Sequence, residues 1–212
     1  GYARQAEEVL RLAVDAAWDR GDTAQTCRAL QILAAAVVSQ GRMAEARSIT
    51  ERMLALAQAS GDRVREARAR LDLGRDAWIH GRSDEAIEQC RRAIELLHEA
   101  GERSGEAWAH NGLGIALSGL GRYDEARKSF LASEQLAEQC GDLTAQLMAE
   151  NNLGALEYML GDPVRAVAHF RESVRLNRKV GDIRETITPG ANLALCNADL
   201  GRFHEAADSL EA

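Results

Sequence analysis

The sequence predicts an all-α fold, a right-handed α-solenoid of antiparallel helix pairs with a period of forty residues. Two glycine columns and a helix-favouring composition support this prediction. One column comprises Gly21, Gly61, Gly101, Gly141 and Gly181, and the other, offset by twenty, comprises Gly1, Gly41, Gly81, Gly121, Gly161 and Gly201. The chain is rich in Ala and Arg, with 4% aromatic residues and two prolines, and these residue types favour helix over strand.

Each column glycine is predicted to end a helix, because glycine adopts the left-handed conformation after a helix C-terminus at little cost. The first column is followed by Asp22, Asp62, Glu102, Asp142 and Asp182, and Asp is a favoured N-cap. We call the helix after each of these acidic residues helix A, and the helix after a second-column glycine helix B. The predicted helices are 2–20, 23–40, 43–60, 63–80, 83–100, 104–120, 123–140, 143–160, 163–180, 183–200 and 203–212.

Side-chain columns share the forty-residue period. Helix B carries Ala6, Ala46, Ala86, Ala126, Ala166 and Ala206 in one phase. In helix A a leucine column is followed by a column of small residues, which comprises Ala34, Gly74, Gly114, Gly154 and Ala194. A glycine inside a helix costs about 1 kcal/mol relative to alanine. We therefore expect close packing of helix A against helix B at the three glycines.

The strings HNGLGIALSGLGRYDEARKSF and NNLGALEYMLGDPVRAVAHF resemble the tetratricopeptide pattern of Leu-Gly, a turn Gly, Ala and an aromatic residue. Leu113, Gly114, Gly121, Tyr123, Ala126 and Phe130 occupy its positions. The resemblance covers the whole chain, but the repeat has forty residues rather than about 34 and lacks the closing proline. This longer form is similar to repeats of Pins-type spindle scaffolds, kinesin light chains and bacterial regulators fused to ATPase, cyclase or DNA-binding domains. The resemblance implies a protein-binding solenoid.

We expect one repeat domain over residues 1–212. Its units are a half repeat at 1–20, full repeats at 21–60, 61–100, 101–140 and 141–180, and a shortened repeat at 181–212. The sequence begins without the helix A that would precede its first helix B. Neither end of the sequence has the pattern of the polar cap that a solenoid needs. We interpret the chain as a segment of a longer protein.

The resemblance also implies a candidate binding site. A second stripe of helix A, about 100° from the stripe that faces helix B, lines the concave groove in tetratricopeptide proteins. The candidate peptide-binding residues there are Arg28, Arg68, Arg75, Trp78, Trp108, Asn111, Asn151, Asn152 and Tyr158. Aromatic residues and arginine are enriched in interfaces, and asparagine can bond a peptide backbone as donor and acceptor. We expect these residues on one face, at least partly open to solvent.

An alternative remains for each group of candidates. Trp78, Trp108 and Tyr158 could instead fill gaps between repeats, and Arg28 and Arg68 could belong to an ordinary solvated face. Chaperone-binding tetratricopeptide domains grip the terminal carboxylate of a peptide with Lys, Asn and Arg at set groove positions. Asn152 suits such a clamp, but its matching basic residues are missing, so we do not predict one.

Composition and motifs argue against several other functions. The net charge is -7, whereas nucleic-acid binding needs a basic face. No apolar run is long enough to span a membrane. The five histidines occupy unrelated positions within the forty-residue repeat, and the sequence contains no catalytic motif. We therefore expect neither an enzyme nor a cofactor nor a metal site. The four cysteines lack metal-ligand spacing and are typical of reduced, mostly buried thiols in a cytoplasmic protein.

The leading hypothesis is a scaffold that binds a peptide or helix of a partner, or of its own parent protein, in the groove. An acidic partner with an apolar anchor would match the candidate residues. The alternative is an architectural or sensory arm of a larger signalling or transcription-regulating protein, which self-associates through the solenoid ends or senses an effector.

The last helix A is expected to be the least regular helix. Pro189 stands where earlier repeats have a buried alanine, and proline inside a helix removes a hydrogen bond and clashes one turn back. We expect either a late start capped by Thr188 or a kink.

Overall fold

The computed structural model describes residues 2–181 and 183–211, and side chains at residues 5–181 and 189–209. Every regular element in these ranges is an α-helix. The helices are α1 (Tyr2–Asp19), α2 (Thr23–Val38), α3 (Met43–Ser60), α4 (Arg63–Ile79), α5 (Ser83–Ala100), α6 (Arg103–Gly119), α7 (Tyr123–Cys140), α8 (Leu143–Met159), α9 (Pro163–Val180), α10 (Ile183–Asp199) and α11 (Phe203–Glu211). Predicted and observed helix ends agree within two residues, so the α-solenoid of helix pairs is confirmed. Even-numbered helices are helix A and odd-numbered helices are helix B.

The chain divides into two compact units, the first ending at Glu102 and the second beginning at Arg103. The first unit contains α1 to α5 and the second contains α6 to α11. The division falls at the turn between two full repeats. The expectation of one domain over residues 1–212 stays a prediction.

The turns follow the glycine and aspartate columns. From Gly21 to Gly201, each column glycine has a positive φ between 66° and 81°, a region that favours glycine. Asp22, Asp62 and Asp142 accept a hydrogen bond from the backbone N–H three residues later and cap α2, α4 and α8. The predicted cap Asp182 lies outside the described residues. These local signals explain why the helix ends could be predicted.

The alanine column of helix B is buried in the four full repeats, whereas Ala206 on α11 is half-buried. Ala46 is 5% exposed, Ala86 is 1% exposed, and Ala126 and Ala166 are fully buried. Ala6 is exposed. The structural role predicted for this column is therefore confirmed for the four full repeats.

Two of the glycines inside helix A make room for phenylalanine rings. A Cβ atom added to Gly114 would lie 2.5 Å from the Phe130 ring, and one added to Gly154 would lie 2.8 Å from the Phe170 ring. Both rings are 2% exposed. The packing reason expected for these glycines is confirmed, since any larger residue would displace a buried ring.

The helix α10 runs from Ile183 to Asp199 with Pro189 inside it. The late start expected at Thr188 is therefore wrong, and the side chain of Thr188 lies outside the described residues. Proline interrupts one hydrogen bond of the ladder, and the bonds on either side of it maintain the helix.

Cys27, Cys90 and Cys196 are buried free thiols, whereas Cys140 is exposed. Mostly buried thiols were expected, because a free cysteine packs as a small apolar residue. Within the described ranges, no helix combines the length and the apolar character that crossing a bilayer requires.

Candidate protein-binding surface

The candidate residues are divided between the two units. Arg28, Arg68, Arg75 and Trp78 lie on α2 and α4 of the first unit. Trp108, Asn111, Asn151, Asn152 and Tyr158 lie on α6 and α8 of the second unit. We describe each group within its own unit, and we call the first group the basic face and the second group the amide face.

The arginines of the basic face lie at the protein surface. Arg28 and Arg68 are exposed, and neither makes an ion pair within the described part of the chain. The Arg75 side chain is 63% exposed, and its Nη2 donates to Asp72 Oδ1 at 2.8 Å. Such an exposed pair contributes about 0–1 kcal/mol to stability.

Trp78 provides exposed aromatic surface at the end of α4. Its residue surface is 44% exposed, and the neighbouring Ile79 is 52% exposed. The structure therefore agrees with the expectation that Trp78 is open to solvent. Exposed aromatic surface of this kind is typical of binding sites.

Trp108 is held within the second unit. Its Nε1 donates to Asp142 Oδ2 at 3.2 Å, and its ring packs against an alanine cluster that includes Ala145. Burial raises the pKa of Asp142, but hydrogen bonds from the Ser104 hydroxyl, the Ala145 N–H and the Trp108 indole outweigh burial and lower the pKa overall. The geometry favours the gap-filling alternative for Trp108, because it joins α6 to the capped start of α8.

The asparagines of the amide face form a ladder between successive A helices. Asn152 Nδ2 donates to Asn111 Oδ1 at 2.8 Å, and Asn192 Nδ2 donates to Asn151 Oδ1 at 3.2 Å. Asn111 is only 4% exposed, so the expectation that it is open to solvent is wrong. Its side chain accepts from the next helix A instead. Asn151 and Asn152 are half-buried, and each keeps amide hydrogen-bonding capacity beyond the ladder bond.

Tyr158 is half-buried and packs against the core of the second unit. Its hydroxyl donates to Asp199 Oδ2 at 2.5 Å, and this hydrogen bond to a carboxylate raises the pKa of Tyr158. The hydroxyl is therefore engaged by α10, while part of the ring surface stays open.

Polar pairs between helix A and helix B of a repeat were missed from the sequence. Arg70 Nη1 donates to Gln89 Oε1 at 3.0 Å, and the His169 ring Nδ1 bonds Glu150 Oε2 at 2.7 Å. The same two positions are apolar in the first full repeat. A comparison of equivalent positions in successive repeats could have shown that both positions change from apolar to polar together. These pairs connect the two helices of a repeat.

The Glu150–His169 pair predicts a pH dependence. The hydrogen bond to Glu150 raises the pKa of His169 above its ordinary value of about 6.5. Its stabilisation is therefore fully present below about pH 6.5 and is lost as pH rises through the higher folded-state pKa. We expect the free energy of unfolding of the wild type to exceed that of His169→Gln at low pH, and this advantage to shrink at alkaline pH. Urea denaturation across this range measures it, and a pH-independent difference would contradict the assignment.

Among the described residues, no group of three or more His, Cys, Asp or Glu side chains is placed to hold a metal ion.

A tetratricopeptide repeat family model matches residues 25–99, 81–139 and 105–179. Together these matches span more than half of the chain. The chain belongs to the tetratricopeptide repeat family. The fold of this family is typical of protein–protein interaction scaffolds and is generally non-enzymatic.

Solved structures with the tetratricopeptide fold are similar to the chain over most of its length. BtubC (BKLC) from P. vanneervenii is 18% identical, with 100% of this chain and 89% of that chain covered and a TM-score of 0.83. A Podosopora anserina kinesin light chain structure with nearly identical TPR-like repeats is 17% identical, with 87% and 91% covered and a TM-score of 0.66. A Rap protein complexed with Competence and Sporulation Factor is 11% identical, with 87% and 52% covered and a TM-score of 0.75. No curated protein sequence matches the chain. At these identities, the likeness shows the fold alone.

Proposed function

We propose that this tetratricopeptide protein is a scaffold that binds an acidic peptide or helix of a partner, or of its own parent protein, on its A helices. The observation that carries the proposal is the basic face of the first unit. There Arg28 and Arg68 are exposed and make no ion pair among the described residues, and Trp78 on the same helix set is open to solvent.

The charge of the basic face contrasts with the charge of the whole chain. The protein carries a net charge of -7, and most of its arginines with described contacts are paired with carboxylates. Arg28 and Arg68 keep their charge uncompensated at equivalent positions of successive repeats. We infer that they steer an acidic segment toward the A helices, since complementary charge mainly raises the association rate and sets orientation.

Aromatic surface provides the affinity in this proposal. An exposed tryptophan that becomes buried by a partner is a typical hot spot, and Trp78 meets that description. The half-buried Asn151 and Asn152 of the second unit provide amide groups suited to a peptide backbone. The Rap protein with this fold was solved with a bound factor, which supports the proposal that such repeats hold a partner.

Peptide selection tests the proposal. A displayed library of random peptides is selected on the wild-type chain, and the dissociation constant of the best peptide is measured by fluorescence anisotropy. We expect acidic peptides with a large apolar residue, and Trp78→Ala should weaken binding about 30-fold, equivalent to roughly 2 kcal/mol. Trp18→Ala is the matched control, because Trp18 is 51% exposed on the helix B α1. Equal losses in both variants, or none in Trp78→Ala, would refute the proposed surface.

Charge reversal provides a separate measurement on the same peptide. Arg68→Glu should weaken binding most at low ionic strength, because the Debye length falls from about 30 Å at 0.01 M salt to about 8 Å at 0.15 M. Arg178→Glu, on the helix B α9, should have no such effect. A salt-independent loss in Arg68→Glu would argue against electrostatic steering. A concentration-dependent dimer that Arg68→Glu abolishes would instead assign the basic face to self-association.

A further inference from the structure

The first unit contains a cavity of about 220 Å³ where α2, α3 and α4 meet. Its walls include Ala34, Ala46, Thr50 and Leu73, and its rim includes Asp72 and Arg75. The cavity therefore lies at the crossing of helix A and helix B in the first full repeat, and it opens beside the basic face.

The first full repeat has no phenylalanine ring at this crossing. Thr50 occupies the position that Phe130 and Phe170 occupy in the third and fourth full repeats. In those repeats the rings lie against Gly114 and Gly154 and fill the crossing. In the first full repeat the smaller threonine hydroxyl bonds the Ala46 carbonyl of its own helix at 3.0 Å, which leaves the space open.

One carboxylate at the rim has unused hydrogen-bonding capacity. Asp72 is paired with the exposed Arg75, and burial raises the pKa of Asp72. A carboxylate has about four acceptor sites, and Arg75 is the one donor to Asp72 among the described residues. The neighbouring Asp76 differs, because it already accepts from Arg47 at 2.9 Å and Arg82 at 2.7 Å.

We propose that this cavity takes the side chain of a partner tyrosine or tryptophan, with the ring against Ala34 and Thr50 and the ring O–H or N–H donating to Asp72. A cavity of about 150 Å³ can hold benzene, so an aromatic ring fits the available volume. The same chain provides two precedents for the polar contact, since Trp108 donates to Asp142 and Tyr158 donates to Asp199. The O–H or N–H group of the ring is a neutral donor, and it suits Asp72 because Arg75 already offsets the charge of that carboxylate. The inference rests on the proposed peptide-binding function and names the residue class that anchors the peptide.

The test uses p-cresol and toluene, which are the side-chain analogues of tyrosine and phenylalanine. We expect p-cresol to cause saturable NMR shifts of the Ala34, Ala46 and Thr50 methyl groups, and to bind more tightly than toluene. The difference between the two compounds should disappear in Asp72→Ala, because the acceptor is lost. Methyl groups that stay unshifted at saturating p-cresol, or a difference that persists in Asp72→Ala, would overturn the proposal.

A variant that copies the later repeats should close the cavity. Ala34→Gly combined with Thr50→Phe recreates the Gly114–Phe130 arrangement, and it should keep the helix content while losing p-cresol binding. Ala35→Phe is a second variant that does not depend on core packing, because Ala35 is exposed at the cavity mouth. Ala24→Phe, exposed on the same helix away from the cavity, is its matched control and should bind normally. Binding that survives both closing variants would refute the proposed site.

The outcomes separate this inference from the proposed function. If the selected peptide depends on Trp78 but binds Ala35→Phe as tightly as the wild type, the aromatic pocket is refuted and the peptide-binding surface stands. If p-cresol binds in the cavity but Trp78→Ala leaves the peptide affinity unchanged, the pocket is supported and the proposed peptide-binding surface is refuted.

Discussion

Replacing Ala126 with glutamate should destabilise the second unit by about 4 kcal/mol or more. Ala126 is fully buried, so the new carboxylate would enter a site that has neither space nor a partner. Overpacking alone typically costs about 1–3 kcal/mol, and the buried charge adds to that cost. Urea denaturation followed by circular dichroism measures the loss.

Ala6→Glu is the matched control, because Ala6 lies in the same column but is exposed. A surface substitution of this kind changes stability by about 0.5 kcal/mol or less. Since repeats couple mainly to their neighbours, Ala126→Glu should also separate the unfolding transition into two steps. A single transition at the wild-type midpoint would contradict the packing of α7 against α6.

The second large effect is expected from Phe130→Ala, which should cost about 3–5 kcal/mol. The Phe130 ring is 2% exposed and lies against Gly114, so its removal leaves a cavity that the backbone cannot fill. The free energy of unfolding measured in urea checks this value. Thr50→Ala is the control at the equivalent position, and it should cost clearly less because an open cavity already adjoins Thr50.

The contact between Gly114 and Phe130 can be isolated by a double-mutant cycle. Gly114→Ala alone should destabilise by about 1–3 kcal/mol, because its Cβ would overlap the ring. Combined with Phe130→Leu, the alanine should be tolerated better, which gives a favourable coupling energy. Strictly additive losses would show that the glycine serves a purpose other than ring packing.

The elements predictable from sequence are those that depend on local signals. The first residues of α2, α4 and α8 could be located because a column glycine and a capping aspartate stand next to each other before each helix. These glycines are Gly21, Gly61 and Gly141. Burial of the helix B alanines in the four full repeats could be predicted from their phase. The late start expected at Thr188 was wrong because a local cost in a helix can be offset by packing over its length, and the kink expected at Pro189 stays a prediction.

The candidate surface was harder to predict because contacts between repeats decide exposure. Trp108 lies in the expected phase, yet its partner Asp142 is 34 residues away, so phase alone could not show that the indole is engaged. The same reason explains the burial of Asn111, which bonds a residue 41 positions away. Within the described residues, Trp78 and the arginines have no such distant partner, and their exposure could be predicted from phase.

The cavity in the first unit also depends on contacts between helices. Thr50 departs from the phenylalanine column, and this departure is visible in the sequence. Whether a cavity remains beside Thr50 depends on the distances between α2, α3 and α4. The sequence pattern does not specify these distances. Asp72 at its rim was not among the candidates, although it lies in the same column as Asn152 and Asn192.

Site-specific photo-crosslinking tests most directly whether a partner binds on the A helices. A p-benzoyl-phenylalanine group replaces Gln31, exposed on α2 beside the basic face, or Ala55, exposed on the helix B α3. The labelled peptide obtained by library selection is then irradiated with each variant. We expect crosslinking at Gln31 that unlabelled peptide suppresses, and only background at Ala55. Equal crosslinking at both positions, or labelling confined to Ala55, would contradict the proposed binding surface.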